Sequence, residues 1–365
     1  MRDDTILITG ATGFIGAAVL RDLLTSGAVR HAHVLVRDTA SWLTVAASLP
    51  ERGRAARPLS GDITLPGLGL DAPARARLAR TVTAVVHLAA DTCFSQPLDH
   101  ARAVNTTGTA NVLELAHALP LMRRFVHVST AFVAGASTGR ILERDNGGSA
   151  GWVNAYEQSK YEAESLVRAS AREWAILRPS TIVCDSAAGG ITQINAVHRA
   201  LRLYYHGLAS MIPGTEASLV DVVHGAYVSR AIADLALRES SARETYHLCA
   251  GAGALPLGEL LDTTYAIWAA APAWKRRSVV RPALTDLATY RLFERSVEDV
   301  GDARLRQAVA SLSHFAPQMS LSKQFDTTRA DAALGYSAPP VRTFWPRFVE
   351  ELLGTGWAPH TRTAA

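Results

Sequence analysis

Cysteine is scarce in this 365-residue sequence: Cys93, Cys184 and Cys249 are far apart and odd in number. They make no disulfide framework, no C-x-x-C pair and no zinc-ligand spacing, which excludes small stapled folds and suits a reducing cytoplasm. Charge is also sparse. Lys and Arg number 37 against 33 Asp and Glu, for a net +4. So mild an excess is no nucleic-acid signature. No uninterrupted apolar run approaches the roughly 18 residues of a membrane span. The chain enters an apolar strand within its first few residues, which leaves no room for a signal peptide. Aromatics make up only 7%, yet 48% of the residues are hydrophobic, too many for a disordered chain. At about 150 residues per domain, the length suits two domains or one with an added lobe. The expectation is a cytoplasmic protein without nucleic acid as a partner and without a membrane span.

What is present is an alternation. Apolar runs at 5–9, 33–36, 84–88, 125–128 and 174–177 read as buried strands. Helical patterns at 14–25, 101–118 and 154–173 separate them. Strands apolar on both faces between helices predict an α/β fold with a parallel, doubly wound Rossmann sheet. Residues 1–180 form that dinucleotide-binding domain, and 219–250 return to it with a helix at 220–237 and a strand at 245–249. Residues 181–218 and 251–357 are expected to form a smaller, interleaved C-terminal substrate lobe, and 358–365 a tail.

Two clusters carry chemistry. Gly10, Gly13 and Gly16 follow the first strand with spacing G-x-x-G-x-x-G, one residue longer than the usual dinucleotide fingerprint. Thr12, Phe14 and Ile15 lie in the same loop. Glycines there let the backbone approach a pyrophosphate at a helix N-terminus. Arg37 lies 21 residues past Gly16, at the end of the second strand. An acid there would serve the ribose hydroxyls of NAD, whereas Arg suits a 2′-phosphate. NADP(H) is therefore favoured, against the plainer possibility of a solvated Arg and with Asp38 adjacent. The second cluster is Tyr156 and Lys160, one helical turn apart, so that an ammonium can lower the phenol's pKa. Ser129 and Thr130 follow a buried strand upstream and offer a hydroxyl to the same carbonyl oxygen, or simply cap a turn.

The order of the glycine loop, His87–Ala90, Asn105–Asn111, Ser129–Thr130, Tyr156 with Lys160, Leu177–Ser180, Phe325–Thr327 and Ala333–Tyr336 resembles the extended short-chain dehydrogenases/reductases over essentially the whole chain. Segments 61–70, 126–135 and 155–164 resemble the thioester-reductase and fatty-acyl-CoA-reductase branch. The resemblance implies roles. Thr130 would be the catalytic hydroxyl and Tyr156 the proton donor, with Lys160 on the nicotinamide ribose. Asp62 and Ile63 would touch adenine, and Ala89 and Ala90 would line the dinucleotide or merely pack closely. Asn105 would support the active-site helix, and Pro179 and Ser180 would lie beside the nicotinamide.

The activity so implied is NADPH-dependent reduction of an acyl thioester to aldehyde, with a second hydride giving alcohol. Reduction of a free ketone or aldehyde, as in the steroid and dihydroflavonol branches, is the alternative. Arg37 counts against sugar-nucleotide epimerisation, and the Tyr/Lys pair counts against a non-catalytic dinucleotide sensor. No carrier domain fits beside these elements, so an acyl carrier protein or coenzyme A is expected to bring the substrate in trans. Lys275, Arg276, Arg277 and Arg281, next to Trp268 and Trp274, form either a docking site for it or a solvated basic loop. His198, Tyr204, Tyr205 and His206 line an acyl cleft or pack in the core. His87 and His127 lack metal-ligand spacing and read as structural.

Overall fold

Seven parallel strands form the central sheet, in the spatial order Ala56–Ser60, Val29–Val36, Asp4–Thr9, Ala84–His87, Arg124–Val128, Trp174–Pro179 and Glu244–Leu248. The computed structural model describes residues 4–27, 29–49, 55–145, 147–170, 173–238, 243–300 and 302–359. The first strand sits inside the sheet, so the chain winds outwards first one way and then the other. Between Asp4–Thr9 and Ala84–His87 the connections diverge, which opens a crevice at the carboxyl ends of the strands.

Alternation explains the layers. Ile6 and Ile8 join Val34, Val86 and Val126 on one face, under Val19 and Leu23 of the helix Phe14–Thr25 and Val228 and Ile232 of the helix Gly225–Ala236. Leu7, Val85, Phe125 and Ile176 face the other way, under Leu78 of Ala72–Thr81 and Val112 of Gly108–His117. Each such side chain fully buried is worth about 1.5–3 kcal/mol. The strand Ala56–Ser60 carries exposed Arg57 and Pro58, tolerated because it forms the sheet edge.

Three helices differ from the sequence pattern; the one expected at 220–237 is Gly225–Ala236, because Leu219–Val220 and Val222–His224 are short strands. The run expected at 101–118 starts earlier, at Leu98–Arg102, and passes through a π-helical turn, Ala103–Thr107, before Gly108–His117. The helix expected to reach 173 is Ala155–Ala169, because Ser170 turns to extended backbone; Ala171 and Arg172 lie outside the described residues.

Beyond Pro179 the chain builds smaller pieces. Val222–His224 pairs with Thr181–Cys184, Ala283–Thr285 with Met211–Pro213, and Lys323–Phe325 with Gly139–Ile141. The helices Leu257–Ala269 and Val341–Gly354 contribute Trp268, Phe344, Trp345 and Phe348 to the same apolar cluster as the sheet. The later elements therefore share a core with the sheet. Of the expected tail, residues 360–365 lie outside the described residues. Among the described residues, no helix is long and apolar enough to cross a membrane.

Candidate active site

The glycine loop closes the first strand at the switch point. Gly10 adopts φ +75°, and a Cβ on it would come within 2.6 Å of the Ala89 nitrogen. Only glycine suits both demands. A Cβ on Gly16 would run into the Gly10 carbonyl. Gly13 is exposed at the head of the helix Phe14–Thr25 and has no side chain to cap it, while Thr12, Phe14 and Ile15 are half-buried around it. Backbone that cannot carry side chains, at a helix N-terminus, fits a pyrophosphate. The Ala89 N–H donates to the Thr9 hydroxyl at 3.2 Å. Ala89 and Ala90 are both half-buried at the crevice, so close packing and a place along it coincide.

The structure separates Arg37 from Asp38. Asp38 caps the helix Thr39–Ala47, accepting from the Ala40 and Ser41 N–H groups at 3.0 and 2.9 Å and from the Ser41 hydroxyl at 2.6 Å. Those bonds, the Ser41 hydroxyl foremost, hold its carboxyl below the usual range. Arg37 is exposed at the strand end and has no hydrogen-bond or ion-pair partner among the described residues. Asp62 accepts from the Thr64 N–H and hydroxyl at 2.8 and 2.9 Å in the turn after the edge strand. Ile63 is buried, and its carbonyl accepts from Asn111 Nδ2 at 2.7 Å.

Tyr156, Lys160 and Thr130 converge at the carboxyl ends of the strands. Thr130 follows Arg124–Val128 and caps the short turn Ala131–Ala134, accepting from the Phe132 N–H at 3.2 Å. Tyr156 lies in the first turn of Ala155–Ala169, capped by Asn154. Burial pushes the Tyr156 phenol up to about 12, and a hydrogen bond with Thr130 opposes this. The expected lowering of this phenol by Lys160 is therefore not what the structure has. Lys160 Nζ is anchored instead to the Val128 carbonyl at 2.9 Å and His127 Nε2 at 3.3 Å. Burial lowers Lys160 to about 8. At neutral pH the phenol keeps its proton, the state a donor needs.

Asn105 ties this corner together from the π-helical turn. It donates to the Asp91 carbonyl and the Ser159 hydroxyl, both at 2.9 Å, and accepts from the Asp91 N–H at 2.8 Å. Pro179 ends its strand half-buried, and buried Ser180 bonds the Leu248 carbonyl through its N–H at 3.3 Å. Histidines 87 and 127 are fully packed, with His87 between the Thr9 and Thr109 hydroxyls at 2.7 and 3.0 Å. Burial drives His87 down to about 3 and His127 well below its ordinary value.

One aromatic neighbour of Tyr156, and two rings packed on that neighbour, carry no sequence signal. Phe94 stacks on its ring at 5.4 Å, Phe132 meets Phe94 edge-on at 6.2 Å, and Phe315 stacks on Phe94 at 6.3 Å. Glu157, which follows Tyr156, is buried in a hydrogen-bonded chain with Gln318 and Lys323. Only Glu157 was legible, since Asn154-x-x-Glu157 is a capping-box spacing.

The expected second-lobe features rearrange. Trp268 and Trp274 are buried at 0% and 2% exposure, so they belong to the core and cannot flank a docking site. Tyr204 and Tyr205 pack against Trp268, and His198 meets Phe348 edge-on. These rings are packing, not an acyl cleft. Arg281 is paired with Glu216 and Asp262, and Arg277 lies over the Tyr205 ring beside His206. Lys275, Arg276 and Arg277 are exposed. No group of three or more potential ligands for a metal occurs among the described residues.

A family model described as Male sterility protein matches residues 8–232. The chain is 31% identical over 175 residues to fatty acyl-CoA reductase wat of Drosophila melanogaster, covering 44% of this chain and 34% of that protein. Over 271 residues it is 30% identical to a linear gramicidin synthase subunit of Brevibacillus parabrevis, covering 66% of this chain and 5% of that protein. The chain thus spans about a third or less of the length of these curated relatives. The crystal structure of the terminal R domain from the myxalamid PKS-NRPS biosynthetic pathway superposes with a TM-score of 0.80 at 27% identity, covering 99% of this chain and 93% of that one. With the switch-point glycine loop and the Thr130, Tyr156 and Lys160 corner in place, this chain belongs to the male sterility protein family of nicotinamide-dinucleotide-binding domains, within the extended short-chain dehydrogenase/reductase superfamily.

Proposed function

We propose that this chain reduces the carbonyl of an acyl thioester, carried on coenzyme A or a carrier protein, to an aldehyde at the expense of NADPH. The observation that carries the proposal is the buried corner where the Tyr156 phenol bonds Thr130 above the anchored Lys160. Likeness to a terminal R domain and to a fatty acyl-CoA reductase supports the thioester. Arg37 supports the 2′-phosphate, because Asp38 is spent on its helix cap. Gly10–Gly16, Asp62, Ile63, Pro179 and Ser180 would hold a nicotinamide dinucleotide, which would supply the hydride.

The side chains do the rest. Thr130 and Tyr156 donate to the carbonyl oxygen, and Tyr156 passes its proton to it as negative charge develops. Lys160, held by the Val128 carbonyl, would hold the nicotinamide ribose, and solvent returns a proton to the phenolate. The hemithioacetal then collapses: its C–S bond breaks, the hydroxyl proton goes to the departing thiolate, and aldehyde and free thiol result. Exposed Lys275, Arg276 and Arg277 suit the phosphates of coenzyme A or an acidic carrier surface. The free thiols of Cys93, Cys184 and Cys249 suit a reducing cytoplasm.

The test is nicotinamide oxidation against acyl-CoAs, carrier-bound acyl groups and free carbonyls. Thioesters should be consumed. Neutralising Lys275, Arg276 and Arg277 together should raise KM for the carried substrate and leave kcat unchanged, less so as salt rises. Turnover of free ketones alone would replace this reading with ordinary carbonyl reduction.

A further inference from the structure

The turn Ala316–Met319 reaches the catalytic helix directly at Glu157 and, by way of Phe94, at Tyr156. Phe315, which caps that turn, stacks on Phe94, and Phe94 stacks on Tyr156. Three residues on, Gln318 donates through Nε2 to Glu157 Oε1, and its Oε1 accepts from Lys323 Nζ at 2.7 Å. Glu157 also accepts from the Val153 N–H at 3.0 Å and Asn154 Nδ2 at 2.9 Å. Glu157, Gln318 and Lys323 are exposed by 0%, 6% and 4%. A buried carboxylate and ammonium are thus bridged by one amide, whose oxygen must face the lysine and whose nitrogen must face the glutamate.

We propose that Gln318 is a positioning residue for the reaction: the chain Lys323, Gln318, Glu157 latches the turn that follows Ala303–Ser313 onto the first turn of the catalytic helix and thereby aims the Tyr156 phenol. A cap on that helix needs only Asn154 and Glu157, which already satisfy each other. The additional amide and ammonium come from 161 and more residues away in sequence. Their burial is costly unless each is paired. Burial pushes Glu157 up to about 7 and lowers Lys323 to about 8, the signature of groups held where solvent cannot relieve them. Gln318 holds Glu157 directly, and Phe315 reaches the neighbouring Tyr156 through Phe94, so a shift of this first turn disturbs both the hydrogen bond and the ring stack. The inference rests on the proposed carbonyl reduction with Tyr156 as acid, but not on the carbonyl being a thioester.

The experiment compares the parent chain, Gln318→Leu, and the exchange Glu157→Gln with Gln318→Glu, which keeps one carboxylate, one amide and one ammonium. Each is assayed with an acyl-CoA and with a free aldehyde. In Gln318→Leu, kcat should fall about tenfold or more on whichever carbonyl the parent accepts, as expected for a misplaced acid, with KM and dinucleotide affinity nearly unchanged. The solvent deuterium isotope effect on kcat should rise, because proton delivery becomes limiting. The exchange variant should recover most of the loss. Amide hydrogen exchange at residues 154–158, read without substrate, should quicken in Gln318→Leu and return in the exchange variant. Unchanged kcat and isotope effect in Gln318→Leu overturn the latch, as does an inert parent whose exchange at 154–158 ignores the substitution. A parent active on aldehydes only overturns the thioester reading while still measuring the latch.

Discussion

The central sheet and the seam where residues 316–331 meet it are held by different forces. In the sheet, Ile6, Leu7, Val85, Val86, Val126 and Ile176 are fully buried against other apolar groups. The seam instead buries charge. Glu143 accepts from the N–H groups of His247, Arg329 and Ala330 at 2.9, 2.6 and 3.0 Å, and Glu157 is bridged to Lys323. Nearby, Arg178 and Glu164 pair at 2.7 Å with 1% exposure each. Apolar burial is strong and forgiving of direction, whereas buried ion pairs add little net stability but admit few geometries. The comparison teaches a division of labour. The sheet supplies stability and the carboxyl-end crevice, and the seam fixes how the later elements face Tyr156.

Substitutions on each side should separate the two. The largest effect belongs to the chemistry: Tyr156→Phe should cut kcat by about two to four orders of magnitude while leaving melting temperature and dinucleotide affinity nearly intact. Steady-state kinetics with calorimetry checks this. Next is the buried ion pair beside the seam, between a sheet strand and the catalytic helix. Arg178→Met strands a buried carboxylate, and the cost should be about 3 kcal/mol, the low end for such a break because Arg168 still reaches Glu164. Urea unfolding reads it. Arg37→Ala, outside both regions, should narrow the NADPH preference over NADH by about 1–3 kcal/mol, measured as two dissociation constants, without altering stability.

The smallest effect sharpens the comparison through pH. Burial pushes Glu143 up to about 7 despite its three N–H donors. A carboxyl raised in the folded state contributes most below its unfolded value of 4.5 and loses that contribution as pH rises through about 7. Glu143→Gln removes this dependence. The variant's melting temperature should therefore climb relative to the parent between about pH 5 and about pH 8. A gap that stays constant with pH would mean that Glu143 is not charged at the expense of the seam.

The same division decides what was legible beforehand. Sheet strands announce themselves as short apolar runs, and Gly10, Gly13, Gly16, Tyr156 and Lys160 stand at spacings set by local geometry. The π-helical turn around Asn105 was not legible, because one inserted residue leaves the helical pattern almost unchanged. The edge strand Ala56–Ser60 was hidden by Pro58. Asp38 was ambiguous until its helix cap was visible. At the seam, Glu157 finds Gln318 across 161 residues, and Glu143 finds Ala330 across 187. No local periodicity encodes such a meeting. For the same reason Trp268 and Trp274 looked like a docking surface: a basic run beside them hid that they point into the core.

The central claim is thioester reduction at the Tyr156 corner, and the fate of the hydride tests it most directly. NADPH deuterated at the transferable C4 position is supplied with an acyl-CoA, and the products are analysed for free thiol and for the position of the label. The account predicts thiol released in step with the first hydride and deuterium on the former carbonyl carbon of an aldehyde, or of the primary alcohol made from it. Deuterium found only on the carbon of a secondary alcohol from a free ketone, with no thiol released from any thioester, would contradict it.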